Sequence, residues 1–139
     1  MMRDKEQTIG NLIDKCAVSI ISSVDEDGFP NTKAMLKVRM REGIEHFYFT
    51  TNTSSIRVKQ YLNNEKACVY FYDSRFFRGV MLKGTMTVLT DIESKTKIWR
   101  DGDTTYYKEG VNDPDYCVLK FTAVSGRYYS NFSSEDFDI

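Results

Sequence analysis

Residues 47–62 read FYFTTNTSSIRVKQYL. Six hydroxyl- or amide-bearing residues, Thr50, Thr51, Asn52, Thr53, Ser54 and Ser55, lie between an aromatic strand-like run and a helix-like run with Arg57 near its start. If Ser54 caps that helix, the main-chain N–H groups of Ser55, Ile56 and Arg57 point out of its first turn, and the helix dipole adds positive potential there. The Ser55 hydroxyl and the Arg57 guanidinium could then close around the oxygens of a phosphate. Water and ordinary capping satisfy the same groups. Two readings stay open from this stretch alone: a well-capped strand-to-helix turn, or an anion site.

The run at residues 32–41 bears on that choice. Strand side chains alternate, which sets Thr32, Ala34, Leu36, Val38 and Met40 on one face and Lys33, Met35, Lys37, Arg39 and Arg41 on the other. Arg39 and Arg41 flank a turn, where solvent accounts for them. Lys33 and Met35 could offer one cation and one apolar contact across from the helix mouth. With Thr50 and Thr51 ending the neighbouring strand, the set suits an elongated ligand with a phosphate at one end and a flat body along the strands. Such pockets are mainly apolar with a few directed polar groups.

The elements that must position these residues follow from periodicity. Ile9, Leu12, Ile13 and Cys16 recur at helical spacing, predicting a helix over residues 3–16. AVSIISSV, IEHFYFTT, ACVYFYDS, GVMLKGTMTVLT and YCVLKFTAVSGRYYS have strand composition, and the Asp-Gly of DEDGFP marks a hairpin. The mid-chain helix should bury Val58, Tyr61 and Leu62 and end at NNEK. Gly84, inside a strand, marks a bulge, a barrel corner or a close backbone approach. Asp91 can cap a short helix, residues 100–115 read as loop, and the SSEDFDI tail should gain order only by docking onto the body or a partner. Six or so strands joined mostly by hairpins predict a mainly β fold, a barrel or strongly curved antiparallel sheet with peripheral helices, in one domain over residues 1–139. Residues 17–51 hold three strand-like runs and no helix, against a doubly wound α/β fold.

Composition narrows the function classes. Nineteen Lys and Arg against 20 Asp and Glu give a net charge of -1, so no whole-chain electrostatic case exists for nucleic acid or an anionic membrane. Cys16, Cys68 and Cys117 lie in apolar surroundings without zinc-knuckle spacing, and His46 is the only histidine, so no metal site is expected. No apolar run approaches a membrane span, nor does one follow the N-terminal charges, so the expected location is cytoplasmic. The 9 Phe, 9 Tyr and 1 Trp exceed what a small core needs, which makes Trp99, Tyr106, Tyr107, Tyr128 and Tyr129 candidates for a dimer interface. Tyr70, Phe71, Tyr72, Phe76 and Phe77 are assigned to core packing, and His46 to a structural or surface role.

GFPNTKAML, FYFTTNTSSIRVKQYL, KACVYFYD and RGVMLKGTMTVLTD, in this order and spacing, resemble the pyridoxamine 5'-phosphate oxidase-like, FMN-binding split-barrel family, in particular its small general-stress-protein branch. The likeness runs over about residues 9–129. It implies a homodimer of six-stranded antiparallel split barrels with FMN in a cleft between subunits. By resemblance, Lys33 contacts the FMN phosphate, and Thr32, Ala34 and Met35 belong to the strand whose main chain runs beside the isoalloxazine ring. Thr50 and Thr51 match the pair after the aromatic strand, and Ser55 and Arg57 match the phosphate-binding Ser and basic residue. There are departures. Arg78-Gly79 stands where oxidases of pyridoxamine phosphate carry Arg-Gln, Ile56 replaces a basic residue, and no Arg-x-x-Arg-Leu ending follows GRYYSNF. The resemblance therefore implies the flavin site more than the vitamin substrate.

The implied activity is transfer of electrons from a reduced nicotinamide or similar donor to a small acceptor. Three alternatives remain: a non-catalytic flavin-storing or redox-sensing module, a dimer holding another planar ligand such as haem or deazaflavin, and a ligand-free structural dimer. No catalytic residue is assigned.

Overall fold

The computed structural model describes Met2 and residues 4–139. Helix α1, Lys5–Lys15, is capped by Asp4, whose carboxylate accepts from the Gln7 N–H at 3.1 Å, and it buries Ile9, Leu12 and Ile13 as the spacing requires. Position 3 of the expected helix lies outside the described residues. Strands β1 (Val18–Val24) and β2 (Pro30–Leu36) form a hairpin, its turn closed by the Asp25 carboxylate on the N–H groups of Asp27 and Phe29, with Gly28 at φ 85°. Then come β3 (Met40–Glu42), β4 (His46–Asn52), α2 (Ile56–Asn63), β5 (Lys66–Asp73), β6 (Arg78–Leu89), α3 (Ile92–Ile98), two 3-10 turns, β7 (Tyr116–Ser130) and β8 (Ser133–Asp138).

All eight strands form one antiparallel sheet in the order β2-β1-β5-β6-β7-β4-β3, with β8 added beside β7. The class is the mainly β split barrel expected, with eight strands instead of six. One extra strand arises because the run at 32–41 is broken: residues 37–39 leave the ladder, and β3 begins a new pairing with β4. The other is the tail, which pairs with β7 and lodges Phe137 against Gly126. Gly84 is both a bulge and a close approach. The register slips between Lys83 and Gly84, and a Cβ at 84 would lie 1.9 Å from the Thr122 carbonyl oxygen.

The main core lies between α1, α2 and the inner face of the sheet, with Ile21, Phe47, Phe49, Val69, Phe71, Leu82 and Phe121 fully enclosed. A second cluster, Tyr48, Ile98, Tyr107, Tyr116 and Val118, packs the α3 segment on the far half of the sheet. That segment is fastened by Arg39, which makes two hydrogen bonds to the Asp103 carboxylate, at 2.7 and 3.0 Å, and a third to the Ile98 carbonyl. Burial pushes the Asp103 carboxyl up, but Arg39 and the Arg100 N–H outweigh it and hold it below the usual carboxylate range.

Several side chains fall on other faces than expected. On β2, Met35 is buried while Ala34 and Leu36 point outward, Leu36 at 62% exposure. On β5 only Phe71 of the aromatic run enters the core. Tyr70, Tyr72, Phe76 and Phe77 are exposed, because period two turns alternate residues outward and the β5-β6 turn carries the two phenylalanines away from the body. Leu62 is exposed and Gln60 takes its place. Of the aromatics expected at an interface, Tyr107 and Tyr128 are core residues. Cys16 and Cys117 are buried and Cys68 half-buried, all as free thiols.

Candidate functional site

The polar stretch after β4 folds as a turn built around a distant carboxylate. Asp115 accepts from Asn52 Nδ2 at 3.0 Å and from the Ser54 N–H at 2.8 Å, while its carbonyl accepts from the Thr53 N–H at 2.7 Å. These donors hold the Asp115 carboxyl below its usual range, Asn52 first and Ser54 second. The helix cap is Ser55, one residue later than expected. Its hydroxyl accepts from the Val58 N–H at 3.4 Å, and its own N–H bonds the Asn52 carbonyl at 3.0 Å. Of the three N–H groups assigned to the helix mouth, that of Ser55 is thus used within the turn. Those of Ile56 and Arg57 have no acceptor among the described residues.

Arg57 is oriented by Thr51, whose Oγ1 accepts from Nη2 at 3.1 Å. The Arg57 Nε and the Thr53 Oγ1 are buried with no partner among the described residues. A buried guanidinium nitrogen left unpaired is costly unless something outside the chain compensates the group, and Arg57 has no carboxylate partner among the described residues. Thr51 faces Arg57 because it is an inward residue of β4, opposite Cys117. Thr50, opposite Val118, points to the other face.

The helix also reaches the strand that carries Lys33. One turn beyond Arg57, Gln60 accepts from the Ser23 hydroxyl and donates to Asn31 Oδ1 at 3.4 Å, while the Tyr61 hydroxyl donates to the Ser22 carbonyl at 2.8 Å. Burial pushes the Tyr61 phenol up, which keeps it a donor. Lys33 sits two residues after Asn31 on the same face of β2, opposite the buried Ile21. It is exposed and has no hydrogen-bond or ion-pair partner among the described residues. The structure therefore brings Thr51 and Arg57 into contact beside the Ser55 cap, and ties α2 to β2 at Asn31, two residues before Lys33. Thr32 and Ala34 lie on the opposite face of β2. Among the described residues β2 pairs with β1 alone, so its far edge along residues 32–35 has no second strand against it.

Asp115, Gln60 and Asn31 were not among the residues singled out from the sequence. Asp115 is 61 positions from Ser54, and no local pattern signals such a contact. The surface clefts about 530 and 590 Å³ in volume lie beside this cluster without including Arg57: one runs between the β1-β2 turn and α2, the other over Cys68, Lys83 and Val124. Among the described residues no group of three or more His, Cys, Asp or Glu is placed to hold a metal. No described helix is long and apolar enough to cross a membrane. His46 lies at the start of β4 with Nδ1 3.3 Å from the Thr122 hydroxyl, at the opposite end of that strand from Thr51.

A family model for pyridoxamine 5'-phosphate oxidase matches residues 6–130. Among curated proteins, the pyridoxine/pyridoxamine 5'-phosphate oxidases of Rhizobium johnstonii and Agrobacterium fabrum are 32% and 30% identical over 90 and 92 residues, 65% of this chain in each case. The matches span 42% of those relatives' length. Among solved structures, a Clostridium acetobutylicum protein related to general stress protein 26 of B. subtilis (pyridoxinephosphate oxidase family) superposes with a TM-score of 0.90 at 36% identity, over 100% of this chain and 97% of the other. General stress protein 26 from Bacillus anthracis shares the fold, with a TM-score of 0.79 at 19% identity over 96% of this chain and 98% of its own.

Proposed function

We propose a flavin function for this chain from one premise: it belongs to the pyridoxamine 5'-phosphate oxidase family. The chain binds FMN as one domain over residues 1–139, with the phosphate at the mouth of α2 and the ring beside the open edge of β2, in a homodimer. The observation that carries this reading is the Arg57 guanidinium, oriented by Thr51, with a buried Nε and no carboxylate or other Nε partner among the described residues. Arg57, Ser55, the Ile56 and Arg57 N–H groups and Lys33 would hold the phosphate oxygens, combining charge-assisted hydrogen bonds with the helix dipole. Thr51 orients Arg57, and Asp115 holds the turn that presents the helix end.

FMN, when bound, supplies acceptance and donation of a hydride equivalent, which suits an oxidoreductase taking electrons from a reduced nicotinamide or similar donor to a small acceptor. The chain's part is to bind and orient. Met35 is buried against the inner core on one side of β2, and the exposed apolar residues Ala34 and Leu36 give the other side a surface for a second subunit. A second reading, a flavin-holding or redox-sensing module without turnover, draws support from the residues assigned to the ring. Thr32, Ala34 and Met35 carry no titratable side chain, Gly79 carries none at all, and His46 stands at the far end of its strand.

The test is the absorbance spectrum of the protein as purified, followed by mass measurement of the molecule released on denaturation. Flavin bands with the mass of FMN support the reading, and NADH oxidation faster than that of free FMN then favours the enzyme over the carrier. A protein that is colourless and fails to bind added FMN overturns both.

A further inference from the structure

The outward face of β5 is unlike a solvated sheet surface. Antiparallel strands with one wet face alternate apolar and polar residues, but the outward residues here include Cys68, Tyr70 and Tyr72. Tyr70 and Tyr72 stack with ring centroids 5.9 Å apart and planes 19° from parallel. Tyr70 is 39% exposed, and its hydroxyl has no hydrogen-bond partner among the described residues. Directly opposed residues of antiparallel strands share a face, so the register places Ala34, Ile20, Tyr70 and Met81 in one outward row across β2, β1, β5 and β6. The Tyr70 main chain is two strands from Ala34, about 10 Å at the usual strand spacing, and its phenol extends from there over β6.

Gly79 fixes where that phenol stands. A Cβ built on Gly79 would lie 2.6 Å from the Tyr70 hydroxyl oxygen and 3.0 Å from its Cζ, so the tyrosine occupies the space that any side chain at 79 would enter. Gly79 is buried although it lies on the outward face, because Tyr70 covers it. The missing side chain at 79 and the exposed tyrosine are thus one feature. Only glycine at 79 lets the ring lie down on β6 with its hydroxyl end over the glycine.

We infer that Tyr70 is a ring-contacting residue of the flavin site, held in place over Gly79; this rests on the flavin reading above. The phenol offers a π face to the isoalloxazine on the same side of the sheet as Ala34. Tyr72 backs it by stacking.

The experiment is FMN titration of the full chain and its Tyr70→Phe, Tyr70→Ala, Gly79→Ala and Tyr72→Phe variants, followed by affinity and by the fluorescence lifetime of bound FMN. A phenol in contact with an excited flavin quenches it by electron transfer, whereas a phenyl ring does so poorly. Tyr70→Phe should bind FMN within about twofold of the parent with a clearly longer bound lifetime, and Tyr70→Ala should bind about tenfold more weakly, the upper end of an aromatic contact. Gly79→Ala, which displaces the ring, should lengthen the lifetime as Tyr70→Phe does, and Tyr72→Phe should lengthen it less. A parent that fails to bind FMN removes the flavin reading and this inference with it. A parent that binds while Tyr70→Phe keeps the parental lifetime overturns the inference and leaves the flavin reading standing. Should Tyr70→Ala misfold, the Tyr70→Phe lifetime decides alone.

Discussion

Replacing Arg57 by methionine keeps the apolar stem and removes the guanidinium. In the ligand-free protein the change removes one hydrogen bond to Thr51 and one buried unpaired nitrogen, effects of opposite sign. The folded state should therefore lose little, within about 1 kcal/mol. In the complex the same change removes a charge-assisted contact to a phosphate, worth about 1.5–3 kcal/mol, so FMN binding should weaken about 10- to 150-fold. Riboflavin, which shares the ring and lacks the phosphate, should bind parent and variant alike. Arg41 is the control. Its guanidinium lies against α1, on both Asp14 carboxylate oxygens at 2.8 Å and the Gly43 carbonyl, so Arg41→Met should leave FMN affinity unchanged. The assay is fluorescence titration with both flavins across the three proteins. Equal weakening of FMN and riboflavin by Arg57→Met, or equal effects at positions 57 and 41, would refute the phosphate assignment.

Other consequences can be measured without a ligand. Gly84→Ala should cost about 3 kcal/mol or more in a denaturant melt, since its Cβ meets the Thr122 backbone oxygen instead of a side chain that can move; a loss under about 1 kcal/mol would mean that the bulge can shift register. Asp103 is held below its unfolded value, so the stability it contributes is fully present above about pH 4 and drains away as pH falls through its lowered folded value. Asp103→Asn should accordingly lower the melting temperature at pH 7 and flatten its acid-side dependence; parallel curves for parent and variant would contradict this. If the outward face of β2 seats a second copy, the parent should run in light scattering at twice the 16.2 kDa chain mass and Leu36→Glu at the monomer mass. A parent that is already monomeric while holding FMN would remove the dimer from the proposal.

Periodicity reads well where one face must be dry and poorly where both are apolar. α1 was legible because Ile9, Leu12 and Ile13 recur against polar neighbours, and the bulge at Gly84 because glycine stands alone in a strand. On β2 the alternation separated two sets of residues but could not say which was inside: Leu36 and Ala34 look like core, yet Met35 fills it. β5 failed for the same reason, since Tyr70 and Tyr72 are as hydrophobic as Phe71. The local geometry of the candidate site was half legible. Thr51, Ser55 and Arg57 are close in sequence and close in space, so the local argument reached them, with the cap misplaced by one residue because Ser54 and Ser55 are equally good caps. Gln60 carries no local signal of burial, being polar and next to Tyr61. Only the pairing of β1 with β2 reveals that it reads Ser23 and Asn31.

The Asp115 anchor gives the helix mouth a place in time as well as in space. The turn at residues 52–55 is local in sequence, but the carboxylate that shapes it arrives with the first residues of β7, after two further strands and α3 have been made. Contacts at such separation form late, once the intervening loop entropy has been met by other pairings. The strand hairpins and α2 can assemble first, but the turn at the mouth of α2 is finished only when β7 docks. If the chain binds flavin as proposed, recovery of that binding during refolding should therefore lag the early gain of strand signal and coincide with protection of the β7 amides, so that the cofactor enters a nearly completed fold and does not template it.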